Sequence, residues 1–408
     1  MIYHVLPDLE QFRPDRGGAI SKVVANWMRF DTSQVVTCST SSDPWHLEPD
    51  RIIVIPKLLA FSKIKGRRII PRWITGPFFR DIFRPLVSRL GRGDIVWVHN
   101  QPYIAAALER SIHRAGAKLV YHAHDPHVPG TARSAFESFS PDAWVFVSDA
   151  LRQKYLQVFP HWKKSWVVPN GADDRIFYPR AAVARGNEIP VILYVGRLQA
   201  EKGVHILLDA VRILQERNLN FLCKVIGSHF SGASKATPYI RSLQRSCPPN
   251  VEFAGYRAQT EVAQEFRSAD IFCCPSIWLE AFACVNIEAM ASGLPIVATR
   301  VGGIVEIAAE GGVLLVEPDS ALELANALQR LVQEKDLRAT MGGNGLASFR
   351  RRFTWAAIAK QYREVVDNLK DGQLCGDTSG RPCVQLNLKC AGVDTPEFLP
   401  RSKADARL

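Results

Sequence analysis

The 408-residue sequence contains no apolar run approaching the ~20 residues that cross a bilayer, and its longest runs are of strand length. A membrane-spanning protein is therefore not expected. There is no C-x-x-C pair either. The nine cysteines are scattered, and Cys375, Cys383 and Cys390 match no metal-ligand spacing, which fits reduced thiols in a cytosol. The opening MIYHVLPDLEQ lacks the basic n-region and small-residue cleavage site of a secretory leader. Nothing in the chain resembles a base-reading module, so nucleic acid is not the expected partner despite a net charge of +11. What remains is a globular composition, 47% hydrophobic and 22% charged, long enough for two or three domains with real cores.

Acid is nearly absent from one segment. Residues 57–92 hold ten basic side chains, Lys65, Arg67 and Arg68 among them, against the single acid Asp81. Phe61, Trp73, Phe78, Phe79 and Phe83 are interleaved with them. Cations among large apolar side chains suit an anionic lipid surface, where each contributes about 1 kcal/mol. A solvated basic face would leave the same text.

Periodicity supplies the fold class. Strand-like runs at 2–7, 35–39, 52–56, 95–99, 118–124 and 143–148 alternate with helical segments such as 19–28, 103–115 and 149–157. That alternation predicts a parallel, doubly wound sheet. Turn residues in VVPNGADDRIFYPR (167–180) and the polar stretch 180–190 break it. A second alternation follows, with strands expected at 191–198, 221–227, 251–256, 271–275, 295–299 and 313–318. A helix from about Ser320 is expected to end near the glycines at 342–345. An amphipathic helix at 353–370 and a disordered tail at 371–408 complete the reading. The expected domains are 1–175 and 176–352, with 353–370 packing back on the first.

The stretch richest in chemistry is CPSIWLEAFACVNIEAMASGLPIVATRVGG, Cys274 to Gly303. It reads as strand, loop, helix, strand. Glu280 stands on the loop and Glu288 inside the helix. Free N–H groups near Phe282 to Cys284 would welcome a phosphate. Glu288 lies roughly 7 Å further along the axis, at about 1.5 Å per residue. That matches the reach from a diphosphate to a ribose, whose two hydroxyls an acceptor-only carboxylate can take. An ordinary crossover helix between solvated carboxylates would read alike.

Three other stretches lie at strand ends, where ligands bind in such sheets. Arg197 and Lys202 sit on a strand-to-helix turn and would neutralise a diphosphate. Gly17 and Gly18 end a loop before a helix, a weak phosphate-turn signal. His122, His124 and His127 cluster in YHAHDPH; alternation buries His122 and His124 on one face, so a structural role is open for each.

Four motifs in order resemble the family 4 retaining glycosyltransferases of GT-B fold: PNGADDRIFYP, YVGRLQAEKG, the E-x7-E pair Glu280/Glu288, and EAMASGLPIVATRVGGIVE. The likeness is strong from 167 to 363, diffuse before and absent from the tail. It implies two Rossmann-like domains facing a central cleft and a UDP- or GDP-sugar donor. It further implies a saccharide or lipid-linked acceptor, in cell-surface polysaccharide, lipopolysaccharide or glycolipid synthesis at the inner face of the cytoplasmic membrane. By the same resemblance Arg197 and Lys202 bind the diphosphate, Glu288 the ribose, and Glu280 the donor sugar. The backbone of Ala281, Phe282, Ala283 and Cys284 covers the sugar and phosphates. His124 reaches the sugar from the first domain, and Gly17 and Gly18 face the phosphates. No metal, no other cofactor and no protein nucleophile are implied. Such enzymes commonly have glycine where this chain has Ala281 and Ala283, which narrows the approach to the backbone. A UDP-sugar epimerase and a non-catalytic paralogue remain as alternatives.

Overall fold

A computed structural model describes residues 1–7, 12, 18–38, 48–55, 79, 81–126, 133–162, 164–180, 189–229 and 236–371. Gly17, His127, residues 57–78 and 80 of the basic segment, most of the 180–190 stretch and the tail from 372 lie outside them.

The first sheet has seven parallel strands: β1 (Ile2–Val5), β2 (Gln34–Cys38), β3 (Ile52–Val54), β4 (Ile95–His99), β5 (Lys118–Ala123), β6 (Ala143–Phe146) and β7 (Ser165–Val167), ordered β3-β2-β1-β4-β5-β6-β7. The second has six: β8 (Val191–Val195), β9 (Leu222–Ile226), β10 (Val251–Gly255), β11 (Ile271–Cys274), β12 (Ile296–Thr299) and β13 (Val313–Val316), ordered β10-β9-β8-β11-β12-β13. All their pairings are parallel. Most of these strands are buried on both faces and read as near-continuous apolar runs, which is why their positions were legible, whereas β3, β10 and β13 are only partly buried. The expected doubly wound α/β class is the observed one. Strand β7 is the exception, being three half-buried residues too short to show a period.

Both sheets lie within one compact unit, Met1–Cys375. The last described helix, Trp355–Lys370, begins on Thr354, whose hydroxyl accepts from the Ala357 N–H at 3.2 Å. Its Tyr362, Val365 and Val366 pack with Trp27, Ile95 and Trp97 of the first sheet's layer.

One expectation fails. The chain after Ser320 forms two helices, Ala321–Gln333 and Lys335–Arg352, and the second runs straight through the glycines at 342–345. Those glycines serve close packing. A Cβ on Gly342 would stand 2.3 Å from the Gly293 carbonyl oxygen, so the helix seats there only because the side chain is missing. A glycine run marks a helix end only where no neighbour compensates its lower propensity.

Candidate functional site

The carboxyl ends of the strands in both sheets carry the polar residues. After β11 the chain forms an open loop and then helix Cys284–Ala291. Glu280 on that loop is partly buried, and its Oε1 lies 2.5 Å from Lys202 Nζ and accepts from the Ser276 hydroxyl at 2.6 Å. Lys202 comes from the turn after β8, where Gly203 adopts a left-handed conformation before helix Val204–Glu216. The Ile277 N–H donates to the Glu201 carbonyl at 3.0 Å, tying the two loops together. The structure thus brings Lys202 and Glu280 into contact across 78 residues of sequence.

Gly302 (φ +52°) closes the loop from below. Its added Cβ would lie 2.0 Å from the Glu280 carbonyl oxygen, and the next N–H, on Gly303, donates to that oxygen at 2.9 Å. Ala283 caps the helix at φ +60°, where a methyl group is strained and glycine is not. Position 283 is therefore built for glycine, as the family likeness implied. Phe282 is buried against Phe353.

Glu288 is the fifth residue of that helix. Burial pushes its carboxyl up to about 7, opposed by the field of Lys22. Lys22 lies in the first domain, in helix Ala19–Met28, for which Gly18 is the N-cap. The first domain's opening helix thus carries a positive charge toward Glu288, a partner no sequence signal marked. Arg197 is exposed and, among the described residues, its guanidinium has no hydrogen bond or ion pair, so this cation stands open to a ligand.

Other links join the domains. The Ser148 hydroxyl donates to the Ala281 carbonyl at 2.5 Å and accepts from the Leu151 N–H, capping helix Asp149–Val158. The Glu306 carboxylate accepts from the N–H groups of Asp149 and Ala150, at 2.9 and 2.8 Å, at the start of the same helix. Burial raises its pKa. Asn170, from the PNG turn, donates to Cys284 Sγ at 3.3 Å. No sequence signal marked the reach of Glu306 into the first domain; S-D-A-L after a strand was the available signal for Ser148.

His124 ends β5. Its backbone N–H donates to Asn100 Oδ1 at 2.7 Å, and Nε2 lies 2.9 Å from His99 Nδ1. Among the described residues its hydrogen-bond partners all belong to the first domain. Desolvation drives its pKa down to about 3, so the imidazole is neutral. Burial holds the Cys274 and Cys284 thiols up at about 11 and 12, which makes both poor nucleophiles.

The arrangement offers a helix N-terminus, two cations and two carboxylates in one region, the inventory for a sugar diphosphate. No helix among the described residues is long and apolar enough to cross a membrane.

The family model described as "Glycosyl transferases group 1" matches residues 180–347. Spore coat protein SA of Bacillus subtilis is 26% identical over 298 residues, covering 68% of this chain and 78% of that protein. A D-inositol 3-phosphate glycosyltransferase of Corynebacterium glutamicum is 34% identical over 219 residues, 50% of this chain and 52% of its own length. The match thus spans about half of that relative. Among solved structures, sucrose-phosphate synthase from Thermosynechococcus elongatus superposes with a TM-score of 0.69 at 20% identity, covering 91% of this chain and 99% of that one. Anabaena HepE in complex with UDP-glucose gives 0.69 at 20% identity, covering 90% and 99%. The fold is GT-B, and residues 180–347 match the glycosyl transferases group 1 model.

Proposed function

From the premise of that match, we propose that the protein is a family 4 retaining glycosyltransferase. It would move a hexose from a UDP- or GDP-sugar to a saccharide or lipid-linked acceptor. The observation that carries the reading is the Lys202–Glu280 contact beside the N-terminus of the helix that bears Glu288. Uridine donors gain support from HepE, a structure of which holds UDP-glucose.

In this mechanism Arg197 and Lys202 bind the diphosphate, with the backbone of Ala281 to Cys284 beneath it. Cation and helix dipole stabilise the leaving group, so no divalent metal is required. Glu288 takes the ribose hydroxyls. Glu280, pre-set by Lys202 and Ser276, accepts from hydroxyls of the sugar, and His124 approaches from the first domain. Gly17 and Gly18 face the phosphates across the cleft. The acceptor attacks on the face the diphosphate leaves, so the anomeric configuration is kept without a protein nucleophile. The raised thiol pKa values support that assignment.

The experiment is a panel of UDP- and GDP-hexoses in chelator, read for diphosphate release and for product anomer. One donor should be consumed with retention. Conversion of a donor sugar without acceptor indicates an epimerase, and binding without turnover of any donor indicates a non-catalytic paralogue.

We further propose that residues 57–92 dock the enzyme on anionic lipid at the inner face of the cytoplasmic membrane, near acceptors of cell-surface polysaccharide or lipopolysaccharide synthesis. Binding to vesicles containing acidic lipid should weaken with salt and in a variant neutralised at Lys65, Arg67 and Arg68. Binding indifferent to lipid charge counts against it.

A further inference from the structure

We propose that His99, His122 and His124 form a transition-metal site, for Zn2+, Co2+ or Ni2+, whose occupation inhibits the enzyme by tying up His124. The inhibition rests on the transferase reading, whereas the binding of metal does not.

The three imidazoles meet because β4 and β5 place them together. His99 stands opposite His122 in the parallel register, and His124 follows two residues on, on the same face. One ligand nitrogen from each ring lies within 4.8 Å of the others. His99 Nδ1 and His124 Nε2 are 2.9 Å apart, about 0.4 Å less than the separation of tetrahedral ligands around an ion bound at about 2.0–2.1 Å. His122 is fully buried, yet among the described residues both its ring nitrogens lack a hydrogen-bond partner. Its ring packs against Trp27, parallel to it at 5.7 Å and 5°, and against His124 at 3.9 Å. A buried imidazole with two unsatisfied nitrogens beside two further imidazole nitrogens requires an explanation, and a shared ion supplies one.

The surroundings have the form of a metal ligand's support. His99 Nε2 lies 3.2 Å from His4 Nδ1, and His4 Nε2 lies 3.1 Å from Gln34 Oε1. Gln34 Nε2 points at Asp31 Oδ2, 3.5 Å away, which sets its carbonyl oxygen toward His4. Read from that end, His4 donates to Gln34 and His99 donates to His4, so Nδ1 of His99 faces the cluster with a lone pair. Ligating histidines are commonly oriented in this way, by a hydrogen bond from the other nitrogen. In the empty site His124 Nε2–H donates to that lone pair. On metal binding its proton moves to Nδ1, and every imidazole stays neutral with no net proton released. Three neutral nitrogens with no thiolate or carboxylate select zinc-like ions over Mg2+ or Ca2+. The ligand edge, where His124 is partly exposed, is open to a fourth ligand.

The test uses the full chain, stripped with chelator and titrated with Co2+. One equivalent should bind with the intense visible bands of a low-coordinate, nitrogen-ligated ion, and Zn2+ should displace it. His122→Phe keeps the stacking on Trp27 and His122→Asn a smaller polar side chain. Each should lose at least thirty-fold in metal affinity while keeping the melting transition. Zn2+ should abolish donor turnover in the parent and spare it in a His122 variant. Absence of the bands in the parent, or unchanged affinity in folded His122 variants, overturns the site. A chain that consumes no donor but shows the bands overturns the functional reading alone.

Discussion

Glu288 shows how one carboxyl links chemistry and stability. Burial raises its pKa from 4.5 to about 7. Between those values the folded protein binds the proton more tightly than the unfolded chain. The stabilising contribution is therefore complete at low pH and is lost as pH rises through about 7. Glu288→Gln should raise the urea midpoint at pH 8 and leave it nearly unchanged at pH 5. The proposed ribose contact has the opposite demand, because the ionised group is the full acceptor for both hydroxyls. Donor KM should rise as pH falls below 7 in the parent, and this dependence should vanish in Glu288→Gln. Ala283 carries strain of another kind, a left-handed backbone of the type that costs a non-glycine residue roughly 1–2 kcal/mol. The spacing of Glu280 and Glu288 was legible in the sequence; Lys22 opposite Glu288 was not, because no local pattern records which side chain faces another across a cleft.

At the scale of elements, helix Asp149–Val158 is the joint between the domains. Its first turn is held by Ser148 from its own chain segment and by Glu306 from the second domain. A carboxylate at a helix start is favoured by both hydrogen bonding and the dipole. Glu306→Ala leaves the N–H groups of Asp149 and Ala150 without that acceptor and should cost about 1–3 kcal/mol in urea denaturation. A loss below a few tenths of a kcal/mol would show that water substitutes for the carboxylate. Helix 19–28 was legible because burial of one face imposes a period, and strand 191–195 because burial of both faces leaves an apolar run. Positions were not legible where three half-buried residues make β7, or where Gly342 marks a packing contact in the middle of a helix.

At the scale of the molecule, two doubly wound sheets bring the carboxyl ends of their strands toward one another, and the donor-side charges converge from turns far apart in sequence. Arg197 and Lys202 follow β8, Glu280 follows β11, and Lys22 comes from the first domain. Order and spacing of motifs were enough to place Arg197, Lys202 and Glu280 on one edge, but not Lys22. The Lys202–Glu280 contact itself needed the fold, since its two turns lie 78 residues apart. Lys202 is the test of the whole. It holds Glu280 in place through their 2.5 Å contact; in the proposed mechanism it also neutralises the leaving diphosphate, and groups that stabilise developing charge in this way are worth on the order of 100- to 1000-fold in rate. The deciding measurement is kcat for diphosphate release by Lys202→Ala and the parent, on the donor the parent accepts, with the melting curves overlaid. A loss of at least 100-fold with an unchanged fold is expected; equal turnover in the folded variant would contradict the assignment of the site.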